Sequence, residues 1–280
     1  MRKLVPLTIL ALSLLVASVP AEAQSSDEYG WAYLFAGEAA LLTIDAAPNA
    51  VIFTMHDITI DGDLARDARA AIDSADGVGN GDGTVDDNEV VGIEAILQSM
   101  INSVLPNEFD LTMITIDGMK PYAAEDRLVE IMALDVKGAE GSIESGAAIK
   151  TDVKVKLLFD SVDHGATSHT IRFENLYGDF SGHDVSDAPP VRVEVSAYKS
   201  WTIQKDTIAP AEFQDRLAGD TLVFEKADMA YFDEEGEGLE FTIKGDPADL
   251  IKDEKDTPAA PLVVLLGILG MLGVALRRKQ

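Results

Sequence analysis

The stretch Val153-Lys-Val-Lys-Leu-Leu-Phe159 places Val153, Val155, Leu157 and Phe159 on one side of an extended chain and Lys154, Lys156 and Leu158 on the other. The same period of two returns where Ile171 and Phe173 alternate with Arg172 and Glu174, where Val191, Val193 and Val195 alternate with Arg192 and Glu194, and where Leu239, Phe241 and Ile243 alternate with Glu240, Thr242 and Lys244. One wet face and one dry face describe half-buried antiparallel strands. Leu111–Ile116, Leu128–Val136 and Thr221–Phe224 read as further strands, separated by breakers such as Ser186-Asp-Ala-Pro-Pro190. Many short strands of this kind make a sandwich or a barrel, and the expectation is a mainly β (α+β) domain built as an antiparallel β-sandwich.

Upstream, Val51–Ile60 alternates in two phases, with Phe53 and Met55 in one and Ile58 and Ile60 in the other, so the spacing predicts a strand with a bulge near His56 and Asp57. Trp31–Ile44 is apolar without clean periodicity and fits helix or buried strand equally. Only one region reads as strongly helical. In Asp61–Asp73, Asp63 is the expected N-cap, with Leu64, Ala68, Ala71 and Ile72 on one face and Arg66, Asp67 and Arg69 on the other. A second helix is expected from about Asp87 to Leu105, carried by Val90, Ile93, Leu97, Met100, Ile101 and Val104 and ended by Pro106.

Between these helices lies Asp76-Gly-Val-Gly-Asn80-Gly-Asp82-Gly83-Thr84-Val85-Asp86-Asp87-Asn88-Glu89. A hard cation such as calcium needs six to eight oxygens at once, which a short loop supplies from alternating oxygen side chains, one backbone carbonyl and a bidentate carboxylate. With Glu89 as the twelfth position, Asn80 falls third, Asp82 fifth, Gly83 at the sixth-position turn, Thr84 at the seventh-position carbonyl and Asp86 ninth. Val85 is then the apolar residue that fastens the loop to a core.

Asn-Gly-Asp-Gly-Thr-Val-Asp-Asp-Asn-Glu between two amphipathic helices resembles an EF-hand, over residues 63–105. The resemblance implies Ca²⁺ held by the side chains of Asp76, Asn80, Asp82, Asp86 and Glu89 and the carbonyl of Thr84. The chain departs from the pattern at the first position, where this register puts Val78. Either the loop is expanded by two residues with Asp76 as first ligand, or a carbonyl or water serves there; Asp76 is preferred over Asp73.

The ends carry addresses. Arg2 and Lys3, the apolar Leu4–Val16 and Ala21-Glu-Ala23 form an export signal over residues 1–23. Residues 259–276 are apolar apart from Pro261, long enough for a thin or untilted span, and are followed by Arg277, Arg278 and Lys279, which should stay cytoplasmic. The expectation is an exported, single-pass cell-surface protein: a β-rich domain outside over residues 24–244, an acidic stalk over 245–258, a transmembrane or sorting helix over 259–276 and a basic tail over 277–280. This arrangement of termini is similar to that of archaeal surface proteins with a C-terminal sorting and anchoring segment, although Thr257-Pro-Ala-Ala-Pro261 stands where a short glycine-containing signature is usual.

Composition narrows the function. The 280 residues hold 49 acids against 22 bases, a formal net charge of -27, so phosphate backbones should be repelled and nucleic acid is not a partner. Five of the bases lie in the two terminal segments, which leaves the exported part more acidic still. That acidity fits either salt adaptation or a cation-attracting surface. No cysteine is present, which removes disulfides, thiolate metal sites and Cys nucleophiles together.

Other residues weigh less. His56, His164, His169 and His183 are spaced without metal specificity and read as surface-loop residues, with His164, His169 and His183 the set from which a zinc or copper site would have to come. Neither His-Glu-x-x-His nor Gly-x-Ser-x-Gly occurs. Asp233-Glu-Glu-Gly-Glu-Gly238 reads as a hairpin turn, and Trp31 and Trp201 as core or edge residues. The expectation is a calcium-binding, membrane-anchored protein of structural or adhesive role, not an enzyme, with the membrane and other surface proteins as partners. Two alternatives are a surface hydrolase with carboxylates assembled between strands and a metal-free envelope or solute-binding module.

Overall fold

The computed structural model describes residues 34, 39–108, 114–119, 129–159, 162–174, 192–225, 228 and 238–251. Strands β1 (Leu41–Ala47) and β2 (Ala50–Ile60) form a tight hairpin over Pro48 and Asn49. Helix α1 (Gly62–Ser74) follows, then the two-residue β3 (Thr84–Val85) and helix α2 (Asp87–Glu108). The remainder is β4 (Ile114–Ile116), β5 (Val129–Lys137), β6 (Gly141–Ser142), β7 (Ile149–Leu158), β8 (Ser168–Phe173), β9 (Arg192–Ala197), β10 (Thr202–Ala209), a 3₁₀ turn at Ala211–Arg216, β11 (Leu217–Ala218), β12 (Thr221–Phe224) and β13 (Leu239–Lys244).

Seven strands make one sheet in the order β11-β12-β9-β1-β2-β7-β5, and four make another, β10-β13-β8-β4. The chain is thus mainly β, and both sheets feed one buried cluster. Phe53 of β2 meets Phe173 of β8 edge to face, ring centroids 6.5 Å apart at 87°, and Phe173 stacks on Phe241 of β13 at 6.2 Å. The alternation in β8, β9 and β13 delivers one side of each strand to this core, whereas in β7 the expected wet side is covered too: Lys156 at 1% and Leu158 at 8% exposure are buried along with Leu157. Residues up to Leu250 form one compact unit.

The bulge expected in β2 is present: the pairing with β7 shifts between Met55 and Ile58, and Asp57 takes a positive φ of 53°. Its N–H donates to Asp152 Oδ1 at 2.7 Å, so a neighbouring carboxylate holds the backbone in that left-handed conformation.

Several expectations are corrected. The pairing is not antiparallel throughout, because β9 runs parallel to β1, from Leu41 opposite Arg192 to Ala46 opposite Ala197. The N-cap of α1 is Asp61, whose side chain makes no capping bond, while Asp63 sits in the first turn paired with Arg66. The buried face of α1 is Ala65, Ala68, Arg69, Ile72 and Asp73, with Leu64 exposed. Two charged residues thus lie inside, because backbone partners from other segments meet them there. Helix α2 continues past Pro106 to Glu108: the lost N–H bond and the ring's clash with the carbonyl four residues earlier fall in the last turn, so they end the helix two residues later instead of at the proline. His169 is no loop residue but a buried member of β8.

The export signal, His183, most of Asp233–Gly238 and residues 259–280 lie outside the described residues. Among the described residues no helix is long and apolar enough to cross a membrane.

Candidate functional site

The site begins where α1 ends. Gly79 N–H returns to Ala75 O at 2.7 Å, and Gly81 N–H reaches Asp73 O at 2.9 Å, so the chain folds back over the last turn of the helix. Only glycine fits at position 79, where a Cβ would stand 2.0 Å from Asp73 O. Gly83 turns the chain again with a φ of 86°, a left-handed conformation costly for any other residue. Val85 is buried and seats β3 on the core.

Two carboxylates close around this loop. Asp73, 5% exposed, accepts Asp82 N–H on Oδ1 and Gly83 N–H on Oδ2, both at 3.1 Å. Glu89, 3% exposed, accepts Asn80 N–H on Oε1 at 2.9 Å and Asp86 N–H on Oε2 at 2.8 Å. Among the described residues no Lys or Arg pairs with either. A buried carboxylate is costly unless its oxygens are hydrogen-bonded, and here each carboxylate accepts two backbone N–H groups.

The remaining expected ligands lie on the outer side of the loop. Asn80 Oδ1 accepts Asp82 N–H at 2.8 Å and Asp82 Oδ1 accepts Thr84 N–H at 2.9 Å, so both side chains fold over their own backbone. Asp86 Oδ1 accepts Asn88 N–H at 2.8 Å and Glu89 N–H at 3.0 Å, which makes it the N-cap of α2. Thr84 is exposed in β3. Asp76 is exposed in the preceding turn and takes no part in this network; Asp73 is the upstream carboxylate that reaches the loop.

Glu89 thus has a structural role that the ligand spacing did not reveal. Asp86 and Glu89 form a capping box, and its sequence signature is an Asp followed three residues later by Glu just before the apolar Val90. The reach of Asp73 to Asp82 and Gly83 depends on the fold-back at Gly79 and has no signature in the local sequence.

The donor set is oxygen only, suited to a hard cation and not to zinc or copper. Each carboxylate has about four lone-pair sites, so the backbone bonds leave Asp73, Asp82, Asp86 and Glu89 capacity for a cation. The carboxylates are not gathered: among the described residues no three Asp, Glu or His side chains stand together in a way that could hold a metal ion. Asn80, Asp82, Thr84 and Asp86 are exposed, and turning the Asn80, Asp82 or Asp86 side chain toward Asp73 and Glu89 exchanges its hydrogen bond to the loop backbone for a new partner.

Among the described residues the histidines do not assemble a second site; His183 lies outside them. His56 Nε2 bonds Thr43 Oγ1 at 3.1 Å, His164 is exposed in a turn, and His169 Nδ1 bonds Asp117 Oδ2 at 2.7 Å with its ring 5.4 Å from that of Trp201. Compared with protein-family models, curated proteins and solved structures, the chain matches none.

Proposed function

We propose that this chain is a calcium-binding, membrane-anchored cell-surface protein of structural or adhesive role, whose outer part is a β-sandwich carrying an EF-hand-like helix-loop-helix. The observation that carries the reading is the pair of buried carboxylates, Asp73 and Glu89, facing a glycine-rich loop without any basic partner among the described residues. The spacing of Asn80, Asp82, Thr84, Asp86 and Glu89 supports it, with Asp73 in place of Asp76 as the first ligand. Asp73 and Glu89 supply buried oxygens, Asn80, Asp82 and Asp86 swing in from solvent, and Thr84 gives its carbonyl. The ion neutralises acids that otherwise repel one another at the junction of α1 and α2.

Extracellular calcium modules bind at about 10⁻⁴–10⁻³ M. At ten times Kd the ion adds about 1.4 kcal/mol of stability, enough to hold a helix pair and too little for a strong switch. The sharing of one core by the two sheets supports the sandwich, and the apolar run before Arg277-Arg-Lys279 supports the anchor.

The test is calorimetric titration of calcium chloride into the full chain, kept in mild detergent, with Glu89→Gln and Asp73→Asn alongside. Gln at position 89 keeps one oxygen for Asp86 N–H and so retains the capping bond while losing the charge. Saturable heat in the wild type, lost in both variants while each still unfolds cooperatively without calcium, is the expected result; the amide nitrogen that each variant sets against a backbone N–H lowers its calcium-free melting temperature. Equal heats in wild type and variants, or none at 10 mM calcium, refute the site.

A further inference from the structure

We infer that the connection 138–147, between β5 and β7, is the element through which cation binding at the Asp73–Glu89 loop acts on the large sheet; this rests on the calcium reading above. The helix-loop-helix holds that connection at two independent places. The first is Arg69 of α1, 1% exposed and in no salt bridge among the described residues, although the charge of Glu140 in the same connection acts on it. Its three guanidine nitrogens reach carbonyl oxygens of Gly138 at 2.5 Å, Ala139 at 3.0 Å, Ser145 at 2.6 Å and Ala147 at 3.0 Å, and Ala65 of its own helix at 3.4 Å. A planar fork of five N–H donors suits such a ring of carbonyls, and a lysine would serve it poorly.

The second place is the loop itself. Thr84 pairs with Ser142 and Val85 with Gly141, so β3 and β6 form a two-stranded ladder. Gly83 joins the two systems through one residue: its N–H donates to Asp73 Oδ2 at 3.1 Å, and its carbonyl accepts Ile143 N–H at 3.2 Å. A rearrangement that moves Asp73 or the Gly83 turn therefore moves the acceptor of Ile143. Beyond the connection lie β5 and β7, an edge strand of the seven-stranded sheet and its neighbour. Opening the 138–147 connection breaks the ladder beside the loop, and a cation that fixes the loop opposes that opening.

The experiment is hydrogen exchange of the full chain in mild detergent, with and without calcium chloride, read on peptides covering 73–89 and 138–147. If opening of the connection requires release of the ion, both segments gain protection together, by about tenfold at ten times Kd. Protection confined to 73–89 overturns the coupling and leaves calcium binding standing. No change in either segment overturns both. Ile143→Pro removes the N–H that Gly83 receives; it should keep calcium-dependent protection at 73–89 and lose it at 138–147. A response at 138–147 as large as the wild type's in that variant overturns the route through Gly83.

Discussion

Asp86 and Glu89 hold each other's backbone: Asp86 Oδ1 accepts Glu89 N–H at 3.0 Å, and Glu89 Oε2 returns to Asp86 N–H at 2.8 Å. This reciprocal pair starts α2 and is separable from any ion. Asp86→Ala should cost about 1 kcal/mol in calcium-free buffer, read as a lower urea midpoint with unchanged slope. Glu89→Ala should cost a similar amount, and the two together should fall short of additivity, because either change breaks the same box. Additive losses in the double variant would show that the two bonds act independently.

Arg69 makes the second prediction. Replacing it with Met keeps most of the buried volume and leaves four carbonyls of the 138–147 connection without their donor, so the loss should be about 3 kcal/mol or more. Arg69→Lys should recover only a minor part, since a point charge on a flexible stem cannot reach the four together. Full recovery by lysine in thermal unfolding would mean that charge, not the fork, is what matters.

Glycines of the loop differ in what they require. At Gly79 an added Cβ meets the Asp73 carbonyl at 2.0 Å, a backbone clash that no side-chain rotation relieves, whereas Gly77, with φ at 78°, has open space around it. Gly79→Ala should therefore destabilise by several times the roughly 1 kcal/mol expected for Gly77→Ala from left-handed strain alone. Matching unfolding midpoints for the two variants would argue against the fold-back.

Two carboxylates should titrate in opposite senses. Burial raises Glu94, whose Oε1 accepts Val136 N–H from the edge of β5, with Asp135 and Glu140 adding repulsion. Its folded form holds the proton more tightly than the unfolded chain, so stability falls as pH rises from the ordinary glutamate value toward the raised one. Glu94→Gln keeps the acceptor and should remove that loss, giving a more stable protein at pH 7. Burial also acts to raise Asp152, yet Lys137 and the Asp57 N–H outweigh it and hold the carboxylate low. Its contribution is present above the ordinary aspartate value and is lost as pH falls through the lowered one. Asp152→Asn should be destabilising at pH 7 and neutral in strong acid; urea midpoints at both pH values check the two signs.

Much of the sheet was legible because a strand with one wet face writes its burial as alternation. That is why β8, β9 and β13 and the bulge at Asp57 emerge from the residue pattern alone, whereas β7 is legible as a strand but not in its burial of Lys156 and Leu158. Partners are a different matter. Nothing local in Leu41–Ala47 says that its second neighbour is the parallel Arg192–Ala197. Likewise a helical arginine is assigned to solvent by default, and Arg69 goes inside because carbonyls some seventy residues later meet it there. The proposed outer ligands of the loop come from spacing alone. Asp73 does not, since its place depends on Gly79 bringing the chain back over the helix end.

The parallel pairing of β1 with β9 also sets an order of events. β1 can zip to β2 across a two-residue turn as soon as both exist, but its other edge waits for Arg192–Ala197. Closing so long a loop is entropically slow. A chain that emerges N-terminus first must therefore keep the edge of Leu41–Ala47 unsatisfied until more than two thirds of its length has appeared. The half-built sheet meets its surroundings with that edge exposed, and the acids spread along the intervening sequence repel like segments of other copies during the wait.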